Sequence, residues 1–198
     1  MSILVLDIGG VVYRSWPDDA FHERWAPRCG CDVAALADGL WGGDEWASAQ
    51  IGAITAGACF AAAARRLGVT DDLVVEMVTD AFVSQPDEAL AVYVDGLRRR
   101  GVRMAALTNN TATEAELMAR PAMARLFDLA ISSADVGLTK PDPAIYRHAE
   151  TRLAARGEAL VFVDDVEGNV EAARALGWRG VWFRSTEQAI GEIAALLG

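Results

Sequence analysis

Five short apolar runs constrain this chain more than any other feature. They are Ile3-Leu4-Val5-Leu6, Val102-Arg103-Met104-Ala105-Ala106-Leu107, Leu129-Ala130-Ile131, Leu160-Val161-Phe162-Val163 and Gly180-Val181-Trp182-Phe183. Rich in β-branched residues and without polar alternation, they have the pattern of strands buried on both faces. After residue 100, helical stretches separate them. Thr111 to Glu114 and Ser185 to Gln188 each spell a capping box, and Asp142-Pro143 places a capping side chain before a first-turn proline. Gly157 and Gly177 stand where helices should stop. Strands alternating with helices predict right-handed crossovers and an α/β, Rossmann-like doubly wound parallel sheet.

Between the first two strands the pattern changes. From about Pro17 to Arg100 it is helical only. Thr55 to Leu67 caps and runs as an Ala-rich helix, Asp71 to Val78 repeats apolar residues at helical spacing, and Pro86 to Arg100 returns to the sheet. The chain of 198 residues fits one domain with a modest insertion. The predicted division is an α/β core over residues 1–14 and 86–198, with a small helical cap over 15–85 inserted after strand one.

Charge limits the partners. With 18 basic against 28 acidic residues the formal net charge is −10, so no global basic footprint for nucleic acid exists. A phosphorylated ligand would need a local cation to receive it. The three cysteines, an odd number without a disulfide framework, suit a reducing compartment. The first residues lack a basic n-region, and the apolar run from Ile51 to Ala64 is too short to span a bilayer. The expectation is a cytoplasmic protein, monomer or homodimer, without nucleic-acid or membrane partners.

Ligands of doubly wound sheets bind beyond the carboxyl ends of the strands, where strand order reverses. Strand one ends in Asp7-Ile8-Gly9-Gly10, strand two in Thr108-Asn109-Asn110, and strand four in Asp164-Asp165. Lys140 lies in the loop after strand three. Singly, each has an ordinary structural explanation as a turn former, a cap or a solvated lysine. The adjacent acids Asp164 and Asp165 are less easily explained that way. Their mutual repulsion beside a buried strand would be relieved by a divalent cation, and an oxygen-rich site suits Mg²⁺.

Taken in order, these segments resemble the haloacid dehalogenase superfamily, and the resemblance covers essentially the whole chain. Its four motifs fall on Asp7, Thr108, Lys140 and Asp164/Asp165. The run Lys140-Pro141-Asp142-Pro143-Ala144-Ile145-Tyr146 is particularly similar, and the helical insertion matches the subfamily with a small cap after strand one. The resemblance implies a phosphatase of a small phosphorylated metabolite, with Asp7 as the nucleophile that becomes an aspartyl-phosphate. Mg²⁺ would be held by Asp7, the Gly9 carbonyl and Asp165, with Asp164 as a further ligand or support. Lys140 would neutralise the nucleophile and a phosphate oxygen. Thr108, the turn at Asn109, and Gly9 and Gly10 would donate to the remaining oxygens.

One departure stands out. Where the phosphatase pattern has its second Asp, the general acid–base, this chain has Gly9. Three explanations stay open: another proton donor such as a cap residue (His22 is a candidate) or an ordered water, a preference for activated phosphates, or a domain that only binds. Dehalogenation of a 2-haloacid by the same Asp is a further alternative, which the acidic pair disfavours. In the insertion, Trp16, Trp25, Trp41 and Trp46 knit the cap helices together or form an apolar wall over the substrate. Arg14, Arg24 and Arg28 are solvated or pair with a substrate charge, and Cys29 and Cys31 lack the company a zinc site needs. His148 reads as a surface or helix-packing residue, and Trp178 and Trp182 as packing at the edge of strand five.

Overall fold

The computed structural model describes residues 2–13, 19–82 and 86–198. The expected domain boundaries at 14/15 and 85/86, and the expected roles of Arg14 and Trp16, therefore lie outside the described residues or touch their edge. Strands β1 (Ile3–Leu6), β2 (Arg103–Thr108), β3 (Leu129–Ser132), β4 (Leu160–Asp164) and β5 (Arg179–Trp182) form one parallel sheet in the order β3-β2-β1-β4-β5. Its strand order reverses at β1, as the alternating pattern requires. The predicted edges shift by a residue: β2 starts at Arg103 and β5 at Arg179.

The helices after β1 are α1 (Asp19–Cys29), α2 (Val33–Trp41), α3 (Asp44–Gln50), α4 (Ala56–Leu67), α5 (Asp71–Phe82) and α6 (Glu88–Arg99). Thr55 caps α4 through the Ala58 amide, as predicted. Beyond β2 come α7 (Glu114–Met118), α8 (Pro121–Leu126), α9 (Ser133–Val136), α10 (Pro143–Leu153), α11 (Glu167–Ala175) and α12 (Thr186–Leu197). Two local expectations need correction. The capping box opening α7 is Thr113 with Glu116, two residues past the predicted one, because Thr111 is buried beneath the turn. Helix α10 stops at Leu153 with Ala154 in the left-handed region (φ 51), before Gly157 is reached. The Ser185 box and the Asp142 cap form as expected.

Side-chain alternation divides the sheet. Leu4, Leu6, Met104, Ala106, Val161 and Val163 pack against α6, α8 and α12. Ile3, Val5, Ala105, Leu107 and Phe162 face the opposite way, toward α10 and Trp178. Tyr146, Phe162 and Trp178 meet edge to face there at ring separations of 5.6–5.9 Å. So Trp178 belongs to the core face of the sheet, not merely its edge.

The inserted helices bury an apolar cluster of their own, with Phe21, Trp25, Leu36, Leu40, Val74 and Met77 at its centre. The described tryptophans act as internal fasteners: Trp41 meets Trp46 edge to face at 4.9 Å, and Trp25 donates to Asp80. Arg24 and Arg28 pair with Asp80 and Glu76 on α5. Cys29, Cys31 and Cys59 are free thiols. Among the described residues, no helix is long and apolar enough to cross a membrane.

Candidate active site

The sheet register brings the acidic residues together. Leu6 pairs with Val163 on one side and Ala106 on the other, so Asp7, one residue on, stands level with Asp164 and Leu107. The Asp7 amide continues the ladder by donating to the Val163 carbonyl at 2.9 Å. Neighbouring strands lie about 4.8 Å apart, which sets two carboxylates side by side. Alternation turns both toward the face where the loop before α10 delivers Lys140.

Lys140 bridges the two acids. Its Nζ lies 2.9 Å from Asp7 Oδ1 and 2.6 Å from Asp164 Oδ2, with all three residues buried. The rest of Asp164 is also committed. Its Oδ1 accepts from the Val166 amide and from Asn169 Nδ2, both at 2.9 Å, and the Tyr146 hydroxyl donates to the Asn169 carbonyl at 2.8 Å. Asp164 therefore holds Lys140 in place, with two donors on Oδ1 and the lysine alone on Oδ2. Asp7 Oδ1 also accepts from the Ile8 amide at 2.7 Å, and Oδ2 has no partner among the described residues.

Electrostatics follow from the burial. Burial raises the Asp7 pKa, Lys140 opposes the rise and Asp164 adds to it, for a result of about 6. Burial works to lower the Lys140 pKa, but Asp7 and Asp164 outweigh it and hold the ammonium above the ordinary lysine range. Asp165 is raised by partial burial and by the charge of Asp164.

Asp165 is the unpartnered acid. Among the described residues its carboxylate takes no hydrogen bond from another residue and no ion pair, and it leans over Gly10. A Cβ on Gly10 would lie 2.1 Å from Asp165 Oδ2, and Gly10 sits at φ +75. The glycine is needed there to admit the carboxylate. This corrects its expected role as a phosphate donor, because its N–H is spent on the Tyr13 carbonyl at 2.8 Å. Asp7, Asp164 and Asp165 each offer an oxygen within 4.8 Å of the others. Among the described residues, Asp7 Oδ2 and the Asp165 carboxylate take no donor from another residue, while Asp164 offers its oxygen beside Lys140.

The Asn109 side chain has a task beyond the donation expected of its turn's backbone. It accepts from the Lys140 amide at 2.8 Å and donates to the Lys140 carbonyl at 2.9 Å, so its amide group fixes the lysine backbone. Thr108 keeps the expected place: it is buried at the end of β2, lines the cavity, and its hydroxyl takes no partner among the described residues. Gly9 lines the same cavity, about 300 Å³ in volume, with Asp7, Lys140, Thr108 and Asp165.

Three further residues of this cavity carried no readable role in the sequence. Tyr13 follows the Gly9-Gly10 turn, Asn169 opens α11, and Gln50 ends α3. Gln50 comes from the insertion, which approaches the core closely here: a Cβ on Gly52 would stand 2.1 Å from the Ala134 carbonyl. His22 is not among the cavity residues. It packs among aromatic residues of the insertion, and its Nε2 accepts from Trp41 Nε1 at 3.3 Å. His148 packs with a buried Nε2 that has no partner, and Trp182 donates to the Asp165 carbonyl at 3.0 Å.

Comparison with known proteins agrees with this geometry. Residues 1–177 match the haloacid dehalogenase-like hydrolase family. The mouse acyl-CoA dehydrogenase family member 10 is 29% identical over 122 residues, 62% of this chain and 11% of that protein. A phosphatase of Mycobacterium tuberculosis is 36% identical over 84 residues, 41% of this chain and 39% of its own. The chain thus spans only a minor part of either relative's length. A haloacid dehalogenase family enzyme from Bacteroides thetaiotaomicron, crystallised as a magnesium complex, superposes with a TM-score of 0.75 at 17% identity, covering 94% of each chain. At that identity the likeness shows the shared fold.

Proposed function

The chain belongs to the haloacid dehalogenase-like hydrolases, and from that premise we propose that it is a magnesium-dependent phosphomonoester hydrolase acting through Asp7. The observation that carries this reading is the cavity itself. A buried carboxylate with a free oxygen, a buried lysine 2.9 Å away, an unpartnered threonine hydroxyl and an unpartnered acid share one space of about 300 Å³. The inserted helices serve as a cap, which reaches this space through Gln50.

Mg²⁺ fits the donor set, because Asp7 and Asp165 supply hard oxygen ligands in a locally acidic cluster. The Gly9 carbonyl completes the protein's share, with Asp164 in support through Lys140. When bound, the ion offsets the repulsion between a carboxylate and a phosphate dianion. The M. tuberculosis phosphatase and the magnesium-bound Bacteroides enzyme are consistent with this assignment.

The residues of this chain then divide the work. Asp7 attacks phosphorus, the bond from phosphorus to the leaving oxygen breaks, and an aspartyl-phosphate forms on Asp7. Lys140 holds the carboxylate in its ionised, attacking form and donates to a phosphate oxygen. The Thr108 hydroxyl donates to another. Water then attacks the aspartyl-phosphate at phosphorus, releasing inorganic phosphate and restoring the carboxylate.

Gly9 leaves the departing oxygen without a carboxyl proton donor. It must leave as an anion or take its proton from solvent. General acid–base help is worth about 10²–10⁴-fold, so activated esters with good leaving groups should be favoured. A domain that binds phosphate esters and turns them over poorly is the second reading, and the same glycine is what favours it. The glycine does not bear against the dehalogenase alternative, since a halide leaves without a proton; Asp165 does, as an acid that a metal-free displacement at carbon does not use.

The test compares phosphate release from p-nitrophenyl phosphate and simple alkyl phosphates, with Mg²⁺ or chelator, in wild type and Asp7→Asn. Release that needs Mg²⁺ and disappears in Asp7→Asn is expected, with the aryl ester much faster. Undiminished turnover in Asp7→Asn removes the nucleophile assignment. Equal aryl and alkyl rates remove the account of Gly9.

A further inference from the structure

A second cavity opens beside the catalytic one. It has a volume of about 670 Å³, more than twice the 300 Å³ of its neighbour, and the two share Ile8, Tyr13 and Asn110 as common wall. One side is formed by the inserted helices α4 and α5, through Phe60, Val75 and Val78. The other is formed by α7 and α8 of the core, through Leu117, Pro121 and Met123. These walls are mainly apolar, with Thr79, Asn110 and Thr111 as neutral polar groups among them. The two charged residues on the lining, Glu116 and Arg120, are both exposed, and Glu116 is already engaged by the Thr113 capping box.

An apolar space of this size next to a charged one calls for an explanation. Val75 is 48% exposed on the outer side of α5, whose Val74, Met77 and Val78 are buried. Isolated exposed valines are ordinary, but a continuous apolar cleft leading to a reactive carboxylate is the usual form of a small-molecule site. Whatever places its phosphate on Asp7 and Lys140 must send its remaining atoms past Tyr13 and Ile8 into this cleft or out to solvent. Resting on the hydrolase reading of Asp7, we infer that the substrate is an amphiphilic phosphomonoester whose extended apolar leaving group lies in the cleft between α4/α5 and α7/α8. The volume is that of a pocket which buries a drug-sized apolar body. The phosphate charge is met at one end by Lys140, the single buried lysine of the cavity, and the tail meets no buried charge along the walls.

The cleft makes a quantitative demand. Each methylene taken from water into an apolar site favours binding about three- to fourfold. Across ethyl, butyl, hexyl and octyl phosphate, kcat/KM should therefore climb steadily by about one order of magnitude per step of two carbons. Val75→Glu places a charge in the cleft at an exposed position and should flatten this climb. Val33→Glu, on α2 at 40% exposure and outside the cleft, should preserve it. Thermal denaturation of both variants checks that each is folded.

A second arm separates this inference from the hydrolase reading. Titration calorimetry of ethyl- and octylphosphonate into Asp7→Asn and into wild type, with Mg²⁺ present, reads binding without turnover. Turnover with a chain-length climb that Val75→Glu removes supports both. Turnover with no climb leaves the hydrolase standing and overturns the cleft assignment. Absence of turnover together with tighter octylphosphonate binding, lost in Val75→Glu, supports the cleft and overturns the hydrolase. A concentration-dependent dimer that excludes octylphosphonate makes the cleft an interface between copies and overturns the inference.

Discussion

Replacing Lys140 by methionine tests the arrangement on which the site depends. The side chain is 1% exposed and lies 2.9 Å from Asp7 and 2.6 Å from Asp164, so its removal leaves two buried carboxylates facing each other across adjacent strands. Methionine fills most of the volume, which confines the perturbation to charge and hydrogen bonding. Breaking a buried ion pair from one side costs about 3–5 kcal/mol. In a chain of this size each kcal/mol moves Tm by about 2–4 °C, so Lys140→Met in chelator at pH 7.5 should melt roughly 6–20 °C below wild type. Three conditions should close the gap. Adding Asp164→Asn removes the repulsion, Mg²⁺ supplies another counter-charge, and pH 5, below the value of about 6 for Asp7, lets that carboxyl take a proton. Thermal unfolding followed by circular dichroism reads all of them. If Lys140→Met melts with wild type at pH 7.5, or its deficit is unchanged at pH 5, the lysine is not the counter-ion of a buried acid pair.

Acid and metal behaviour give two further tests. Asp7 is raised from 3.8 to about 6, so the folded state binds its proton over a range where the unfolded chain has lost it. Stability in chelator contributed by this group is therefore greatest below pH 4, falls as pH rises from about 4 to about 6, and is level above that. Urea unfolding across this range should show the decline in wild type and its loss in Asp7→Asn; an identical slope in both assigns it elsewhere. Gly10→Ala combines a φ of +75 with a methyl 2.1 Å from Asp165 Oδ2. It should cost about 1–3 kcal/mol and, by displacing Asp165, reduce the rise in Tm that Mg²⁺ produces in wild type. A full Mg²⁺-induced rise in that variant would remove Asp165 from the metal site.

How much of this was legible in the residues follows from what each kind of residue depends on. The strands were readable because burial on both faces writes itself as unbroken runs such as Leu160 to Val163, and a strand's end is then visible as the residue where the run stops. That placed Asp7, Thr108 and Asp164 on one rim. Helix starts were less secure: Thr111 and Thr113 both precede a glutamate by three residues, and only the burial of Thr111 decides between them. Gln50, Tyr13 and the cleft wall of Phe60, Val75 and Val78 could not be read, since they depend on how the inserted helices sit on the core. The tryptophans were readable in part: of the two roles open to them, the described ones take that of knitting the inserted helices together. Smaller residues line the cleft.

The adjacent acids repay closer reasoning, because the sequence presented them as a pair and the fold separates their tasks. Asp164 is the last residue of β4 and shares the orientation of Phe162, two positions earlier, toward α10 and Lys140. Its Oδ2 accepts from Lys140, and its Oδ1 from the Val166 amide and Asn169. Asp165, one residue past the strand, sits in the bend before α11 and sets its carboxylate over the open backbone of Gly10, within 4.8 Å of the oxygens of Asp7 and Asp164. One acid is thus buried to hold a lysine, and the other is left unpartnered at the mouth of the cavity. The repulsion that made the pair conspicuous is answered from two sides: by the Lys140 ammonium within the fold, and by whatever cation Asp165 and Asp7 take from solution. If that division is right, Asp164→Asn and Asp165→Asn should fail differently. The first should lower Tm in chelator and the second should leave Tm in chelator intact while removing the Mg²⁺-induced rise. Identical behaviour of the two variants would mean that the acids act as one ligand pair after all.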